Sequence, residues 1–318
     1  MPTFAMDAVT LTLRPADADD FDEIVKLSEG IYAGHDYLPL IFRQWLQRDN
    51  VVVILAHCGV RLVGLRANFV VDDGRTLIHR AGRVHPDYRG QGIFKQVGEH
   101  SIKHAKEDYP NLQRKRFTSI GDTEIPDPRK LFELHVEAYH VGKEFCDKLK
   151  ATVLTNSMKI KTCAPDYFAN IIEFLPARLF TRNSILSNWC PFERLRSNVD
   201  HILRESTELY VEKCDDDVVI PNSLGVGTLS PRVKYKQWVA EVYADSPDLF
   251  QAHIVHQLKR ACELINDDFI FIFTMQDESL SSLLRIIMKD QLQFKTADFY
   301  HNKTLRVYEM DITEKSHR

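Results

Sequence analysis

Residues 84–95 read VHPDYRGQGIFK, the stretch of this chain best suited to hold a ligand. Gly90 and Gly92 flank Gln91, with Arg89 before them and Ile93, Phe94 and Lys95 after. Lacking a Cβ, each glycine can take backbone conformations closed to other residues and let a ligand approach the main chain. A helix is expected to start at once, so its unpaired N–H groups and the positive end of its dipole face the loop. Such a place suits an anion, above all a phosphate.

Spacing excludes one of the known phosphate loops and weakens another. A P-loop needs four residues between its glycines and a Lys-Ser or Lys-Thr pair behind them. Here one residue separates Gly90 from Gly92 and no such pair follows. A dinucleotide fingerprint would put its third glycine at position 95, which is Lys95, and would open a βαβ unit. Three hairpin-linked strands come first instead.

The elements that must position this loop can be read from periodicity. Residues 9–14 alternate as a strand does, 20–30 and 41–47 read as helices, and 51–57, 61–71 and 77–84 as strands. The pairs Cys58-Gly59 and Asp73-Gly74 separate those strands as turns. The helix after the loop runs to 108, with Phe94, Val97, Ser101, Ile102 and Ala105 on the face expected to meet a sheet. Residues 114–120 read as a strand, 128–138 as a helix announced by Pro126 and Pro128, and 140–145 and 153–161 as strands. The order β-α-α-β-β-β-α-β-α-β-β predicts an α/β fold, a mixed sheet with helices on both faces.

Residues 166–205 read as irregular or helical and join two halves. Strand 238–243, helix 249–264, strand 269–275, helix 279–292 and strand 304–311 then repeat the series that began at 77. The counterpart loop, residues 244–248, is ADSPD. Ser246 and Pro247 suit a helix start, but two aspartates and no glycine would repel a phosphate. The second half therefore reads as a degenerate copy that has lost its anion site.

The 318 residues are 44% hydrophobic and 27% charged, with 41 Lys+Arg against 45 Asp+Glu. That balance argues against a general nucleic-acid binder. Six scattered cysteines without C-x-x-C spacing signal neither zinc nor a redox motif, so no metal is expected. They suit reduced thiols inside a cell. No apolar run is long enough to span a bilayer, and a cytoplasmic protein with no membrane partner is expected.

At a strand-to-helix junction behind an antiparallel meander, residues 84–93 resemble the acetyl-CoA loop of the GNAT superfamily. Arg89 and Gly92 meet that family's pattern Arg/Gln-x-x-Gly-x-Gly/Ala, and Phe94 departs from it. GIYAGHDYLP (residues 30–39), Trp45, WCPFERLRSN (189–198) and VYEMDI (307–312) resemble the histidine N-acetyltransferase family, and the likeness spans nearly the whole chain. It implies a GNAT domain over residues 8–162 and a degenerate GNAT-like domain without the loop over 163–318. The implied activity is transfer of the acetyl group of acetyl-CoA to the amino group of a small molecule, an amino acid such as histidine.

In that frame Val84 and residues 89–95 (Arg89, Gly90, Gln91, Gly92, Ile93, Phe94 and Lys95) would hold acetyl-CoA. Arg80 stands where the family has a glutamate base, and Leu134 where it has a tyrosine acid. His79, His135 and Tyr139 lie beside those positions, so the catalytic candidates are His79, Arg80, His135 and Tyr139. The acceptor would lie by Tyr32, His35, Asp36 and Tyr37. Asp36 could bind an ammonium and the tyrosines could stack on a ring; equally, Asp36 could cap a helix and the tyrosines could pack. Arg114, Lys115 and Arg116 either reach the 3′-phosphate of CoA or guard a solvated strand edge. With the expected glutamate and tyrosine replaced, the alternatives are a catalytically weak acetyl-CoA-binding protein, a sensor or scaffold, or an acetyltransferase for another amine.

Overall fold

The computed structural model describes residues 10–313 except 122–128, 151–158, 205, 215–219 and 276–278. The chain forms two compact units, Met1–Arg116 with Asp311–Arg318, and Phe117–Met310.

In the first unit β1 (Thr12–Pro15) leads through α1 (Phe21–Leu27) and α2 (Leu38–Trp45) to a meander. Its strands are β2 (Val51–Cys58), β3 (Arg61–Val71) and β4 (Thr76–Val84), each antiparallel to the one before. Helix α3 (Ile93–Asp108) follows, and β5 (Arg114–Ile120) starts beside β4. Both faces of the sheet are packed. Ile93 and Val97 of α3 bury against Ile54, Ala56 and Val63, and Trp45 of α2 meets Phe69 edge to face at 5.0 Å. The C-terminal segment returns here. The N–H of Ile312 donates to the carbonyl of Gln113 at 2.8 Å, and its side chain packs with Leu112, Ala105 and Leu77.

The second unit is built from β6 (Arg129–Val141), α4 (Lys143–Lys150), β7 (Ile160–Thr162), α5 (Pro165–Ile171), the hairpin β8 (Ser184–Ser187) and β9 (Cys190–Glu193), and α6 (Val199–Leu203). Next come β10 (Thr207–Glu212), β11 (Ser223–Ser230), β12 (Lys236–Ala244), α7 (Pro247–Leu264) and β13 (Phe269–Met275). Helix α8 (Ser279–Arg285), β14 (Lys295–Thr296) and β15 (Lys303–Asp311) complete it. The strand order is β15-β6-β13-β12-β11-β10-β7. β10, β11 and β12 run antiparallel in turn, and α7 leads from β12 to β13, which is parallel to it. The repeat expected from the sequence begins at β12 and does not include β10 and β11. Among the described residues no helix is long and apolar enough to cross a membrane.

The sequence expectation fails at residues 128–138. Residues 129–138 form no helix; β6 runs from Arg129 to Val141, and the described part of the order becomes β-α-α-β-β-β-α-β-β-α-β. Phe132, Leu134, Val136 and Ala138 share one face by period two and fill a core with Ile270, Ile272 and Leu305. Tyr139 and Val141 on the other face join a core under α7. The strand expected at 140–145 ends at Val141 and gives way to α4. Of the strand expected at 153–161, residues 153–158 lie outside the described residues, as do Val9, Pro126 and Pro128.

Candidate active site

Gly90 and Gly92 have φ of +78° and +73°, and nothing lies within 4 Å of where a Cβ would stand on either. Both therefore sit in a conformation that glycine alone adopts without strain, with their backbone open to an approaching group. Gly92 is the N-cap of α3, and no side chain caps the helix. The N–H of Lys95 turns back to the carbonyl of Gly92 at 3.1 Å, and the N–H groups before it face the loop, where an anion could meet them. Ile93 is buried and anchors the loop to the sheet, Arg89 Nε donates to the carbonyl of Val84 at 3.3 Å, and Gln91 Nε2 donates to that of Asp87 at 3.3 Å.

Beside this loop β4 is irregular. Leu65 pairs with Arg83 and Ala67 with Arg80, so Arg66 faces two residues, Ala81 and Gly82. Ala81 has φ of +51°. This is a bulge: one extra residue bends the strand away from regular pairing and re-aims the side chains after it. A pocket of about 540 Å³ opens there, lined by residues 30–32, 82–84, 88–90 and 92–94, a size that suits a small-molecule site. Its opposite wall is also unusual. Gly30, Tyr32, Ala33 and Gly34 all have positive φ, from 52° to 94°. Two of these are not glycines, the kind of local strain found at ligand-binding segments.

Asp36 and Arg83 form a fully buried ion pair behind that wall. Asp36 Oδ1 also accepts from the N–H groups of Tyr37 at 2.7 Å and Leu38 at 3.1 Å. Arg83 was not a sequence candidate. Strict alternation would turn it away from Arg80, but the bulge restores it to the same side, and both guanidinium groups lie near the Tyr37 ring, at 5.9 and 5.4 Å. The signal for it was Gly82, since an isolated glycine inside a strand marks a bulge. A Cβ there would meet the Phe94 ring at 2.5 Å.

Tyr32 lines the pocket and is half-exposed, His35 is buried, and Tyr37 packs on Trp45 at 5.9 Å. Arg80 sits among Tyr37, Trp45 and Phe69, 5.3 to 5.4 Å from each ring. His79 points to the other face. Its Nδ1–H donates to Asn68 Oδ1 at 2.7 Å. Burial, with the charges of Arg66 and Lys115, holds it well below the ordinary histidine range. Phe94 is half-exposed, with the Arg66 guanidinium 3.8 Å over its ring, rather than buried with Val97. Of the three basic residues at 114–116, Arg114 and Arg116 pair with the buried Asp72 at 3.6 and 3.3 Å.

His135 and Tyr139 lie in the second unit around Glu137, which is fully buried. His135 Nε2 and Arg285 Nε approach Oε1 at 2.8 Å each, His301 Nδ1 approaches Oε2 at 2.9 Å, and the Tyr139 hydroxyl donates to Oε2 at 3.2 Å. Burial works to raise the Glu137 pKa, but hydrogen bonds from His135 and Arg285 outweigh it and hold the group below the usual carboxylate range. Burial and the Glu137 charge push the Tyr139 hydroxyl well above its ordinary value. One further group, Asp20, Glu23 and His57, brings three metal-capable atoms within 4.8 Å. Arg14 holds Asp20 at 2.5 and 2.8 Å, and His57 meets Glu23 at 3.2 Å.

The chain is 36% identical over 232 residues to the histidine N-acetyltransferase of Oreochromis niloticus, covering 68% of this chain and 69% of that one. It belongs to the histidine N-acetyltransferase family. Membership makes it an enzyme that transfers an acetyl group to an amine. The histidine N-acetyltransferase of Scomber australasicus is 26% identical over 281 residues, 80% of this chain and 81% of that one. The family model described as "Histidine N-acetyltransferase, C-terminal" matches residues 169–276. Among solved structures, a tandem GNAT protein from the clavulanic acid biosynthesis pathway superposes with a TM-score of 0.61 at 11% identity, over 96% of this chain and 100% of that one. Fold class and family are thus as the sequence implied.

Proposed function

We propose that this member of the family acetylates the amino group of a free amino acid, histidine foremost, and that acetyl-CoA is the donor. One observation carries the proposal. The glycine loop at the start of α3, the β4 bulge and the connection between α1 and α2 all line one pocket within the first unit. The residues fit the donor: Gly90 and Gly92 leave the backbone open for a pyrophosphate, and the bulge at Ala81 and Gly82 re-aims β4 beside it.

Acetyl-CoA supplies an acetyl thioester. The chain's part is to hold it by the N–H groups from Arg89 to Lys95 and by β4 near Val84, and to keep the acceptor beside residues 32–37. Tyr32, on the pocket wall, is suited to stack on an imidazole ring. For Arg80 the ring contacts favour shaping the wall beneath Tyr37.

We infer further that residues 8–162 and 163–318 descend from two GNAT-like halves and that the second binds no donor. β12 and β13 pair without a break from Lys236 to Glu241, and Asp245 is engaged by Arg178 at 2.7 Å. A cytoplasmic place, away from membranes and nucleic acid, is supported by cysteine usage and charge balance.

The test measures acetyl-CoA affinity and CoA release with free histidine, in the wild type and in Gly92→Asp. The variant should lose donor affinity on the order of 100-fold, because it adds strain at positive φ and a negative charge where the phosphate would lie. Unchanged affinity in a folded variant would remove the loop from the site. Donor binding without CoA release, for any amino acid, would favour the sensor or scaffold role.

A further inference from the structure

Behind the wall of the pocket one buried ion pair carries two polar atoms without a partner among the described residues. Asp36 Oδ1 takes three donors, the N–H groups of Tyr37 and Leu38 and the Arg83 guanidinium. Its Oδ2 is buried and has no partner among the described residues. Arg83 donates through Nη1 to the carbonyl of Ala81 at 2.8 Å and through Nη2 to Asp36. Its Nε is likewise buried and unpartnered. Buried polar atoms in native proteins are almost always hydrogen-bonded, so each exception asks for an occupant. Arg83 is itself part of the pocket lining.

The two open positions differ in kind. Oδ2 of Asp36 accepts only, and Nε–H of Arg83 donates only. An occupant that satisfies both must present an N–H donor and an anionic or carbonyl acceptor. Because the pair is neutral as a whole, a neutral or zwitterionic occupant adds no unbalanced charge to a buried place. An amine without a carboxylate would leave Nε unmet and would bring a cation beside the guanidinium.

We propose that Asp36 and Arg83 together read the backbone end of an α-amino acid. Asp36 Oδ2 accepts a hydrogen bond from the α-amino group, and Arg83 Nε–H donates to the α-carboxylate. This rests on the pocket taking an amine acceptor, and it makes Arg83 a specificity-determining residue for free amino acids over their decarboxylated amines. The acceptor's side chain is left to the Tyr32 side of the pocket.

The experiment compares kcat/KM for several amino acids with that for the amine each gives on decarboxylation, histidine against histamine among them. The wild type should favour the amino acid by roughly tenfold or more, the scale of one charge-assisted hydrogen bond. Arg83→Lys keeps the charge but removes Nε–H, and should bring that ratio to about twofold through a higher KM for the amino acid. Acetyl-CoA affinity by calorimetry reports whether the variant is folded. A folded Arg83→Lys protein that keeps the full preference overturns the proposal. So does a wild type that treats acid and amine alike, an outcome that leaves the acetyltransferase standing. If Arg83→Lys does not bind acetyl-CoA, the wild-type comparison decides alone. If neither an amino acid nor an amine elicits CoA release, this proposal and the proposed function fall together.

Discussion

Glu241 shows what a single side chain can do far from the donor loop. It lies on β12, fully buried, and neither carboxylate oxygen has a partner among the described residues. Thr274, opposite it in the parallel register of β13, also has an unpartnered hydroxyl. Burial pushes the Glu241 pKa well above the ordinary value. A group raised in this way costs no stability while both folded and unfolded forms are protonated, below about pH 4.3. As pH rises past that, the unfolded chain ionises first and the folded state loses ground. Glu241→Gln should therefore stabilise the protein at pH 8 by about 2 kcal/mol, with the gain vanishing near pH 4. Denaturant titrations at the two pH values check the sign; a gain independent of pH would mean that Glu241 is not held neutral. Nothing in the sequence marked this residue, because the order of side chains along β12 does not say which carboxylate will lack a partner. The glycine loop was legible for the opposite reason, since its chemistry lies in the backbone and in residue types that local order fixes.

Among the elements, α7 on β11 offers the sharpest packing test. A Cβ on Gly227 would stand 2.5 Å from Trp238 Cζ2 and 2.8 Å from Gln257 Oε1. Both neighbours are fully buried and bonded to each other, Trp238 Nε1 donating to Gln257 Oε1 at 3.1 Å. Neither can swing into solvent, so Gly227→Ala should cost about 1–3 kcal/mol by overpacking. The measure is the urea midpoint, and no change in it would mean that α7 yields more easily than its burial implies. The two misreadings of the sequence also belong to this scale. Residues 129–141 carry a period-two apolar face at Phe132, Leu134, Val136 and Ala138, but prolines nearby outweighed it as a helix signal. Arg83 was missed because parity along β4 changes at the bulge, an event that depends on β3 as much as on β4.

At the scale of the whole molecule, similarity between halves and independence of folding part company. β6, from the N-terminal half of the sequence, sits between β15 and β13 of the C-terminal half within the second unit. A fragment of residues 163–318 would lack that central strand, leaving Leu305 without its partner Leu134 and the β6-facing edge of Phe271 and Ile272 unpaired. Such a fragment is expected to be unfolded or aggregated, and a cooperative thermal transition in its circular dichroism would contradict this. The repeat itself was legible, because strand, helix and strand lengths recur along the chain. The interposed strand was not, because sheet order is set by long-range pairing that no local pattern encodes.

The return of Ile312 to Gln113 bears on the timing of synthesis. Residues 117–310, which make the second unit, all leave the ribosome before Ile312 can close its hydrogen bond to Gln113 and pack on Leu112. At about 5–20 residues per second, that interval lasts on the order of 10–40 s after Arg116 is made. Throughout it, the nascent unit that carries the glycine loop waits with the edge beside Leu77 and Ala105 uncovered. The unit that carries the glycine loop is begun before the second unit and closed after it, so a chain cut short between residues 117 and 310 holds the whole loop on an unfinished core.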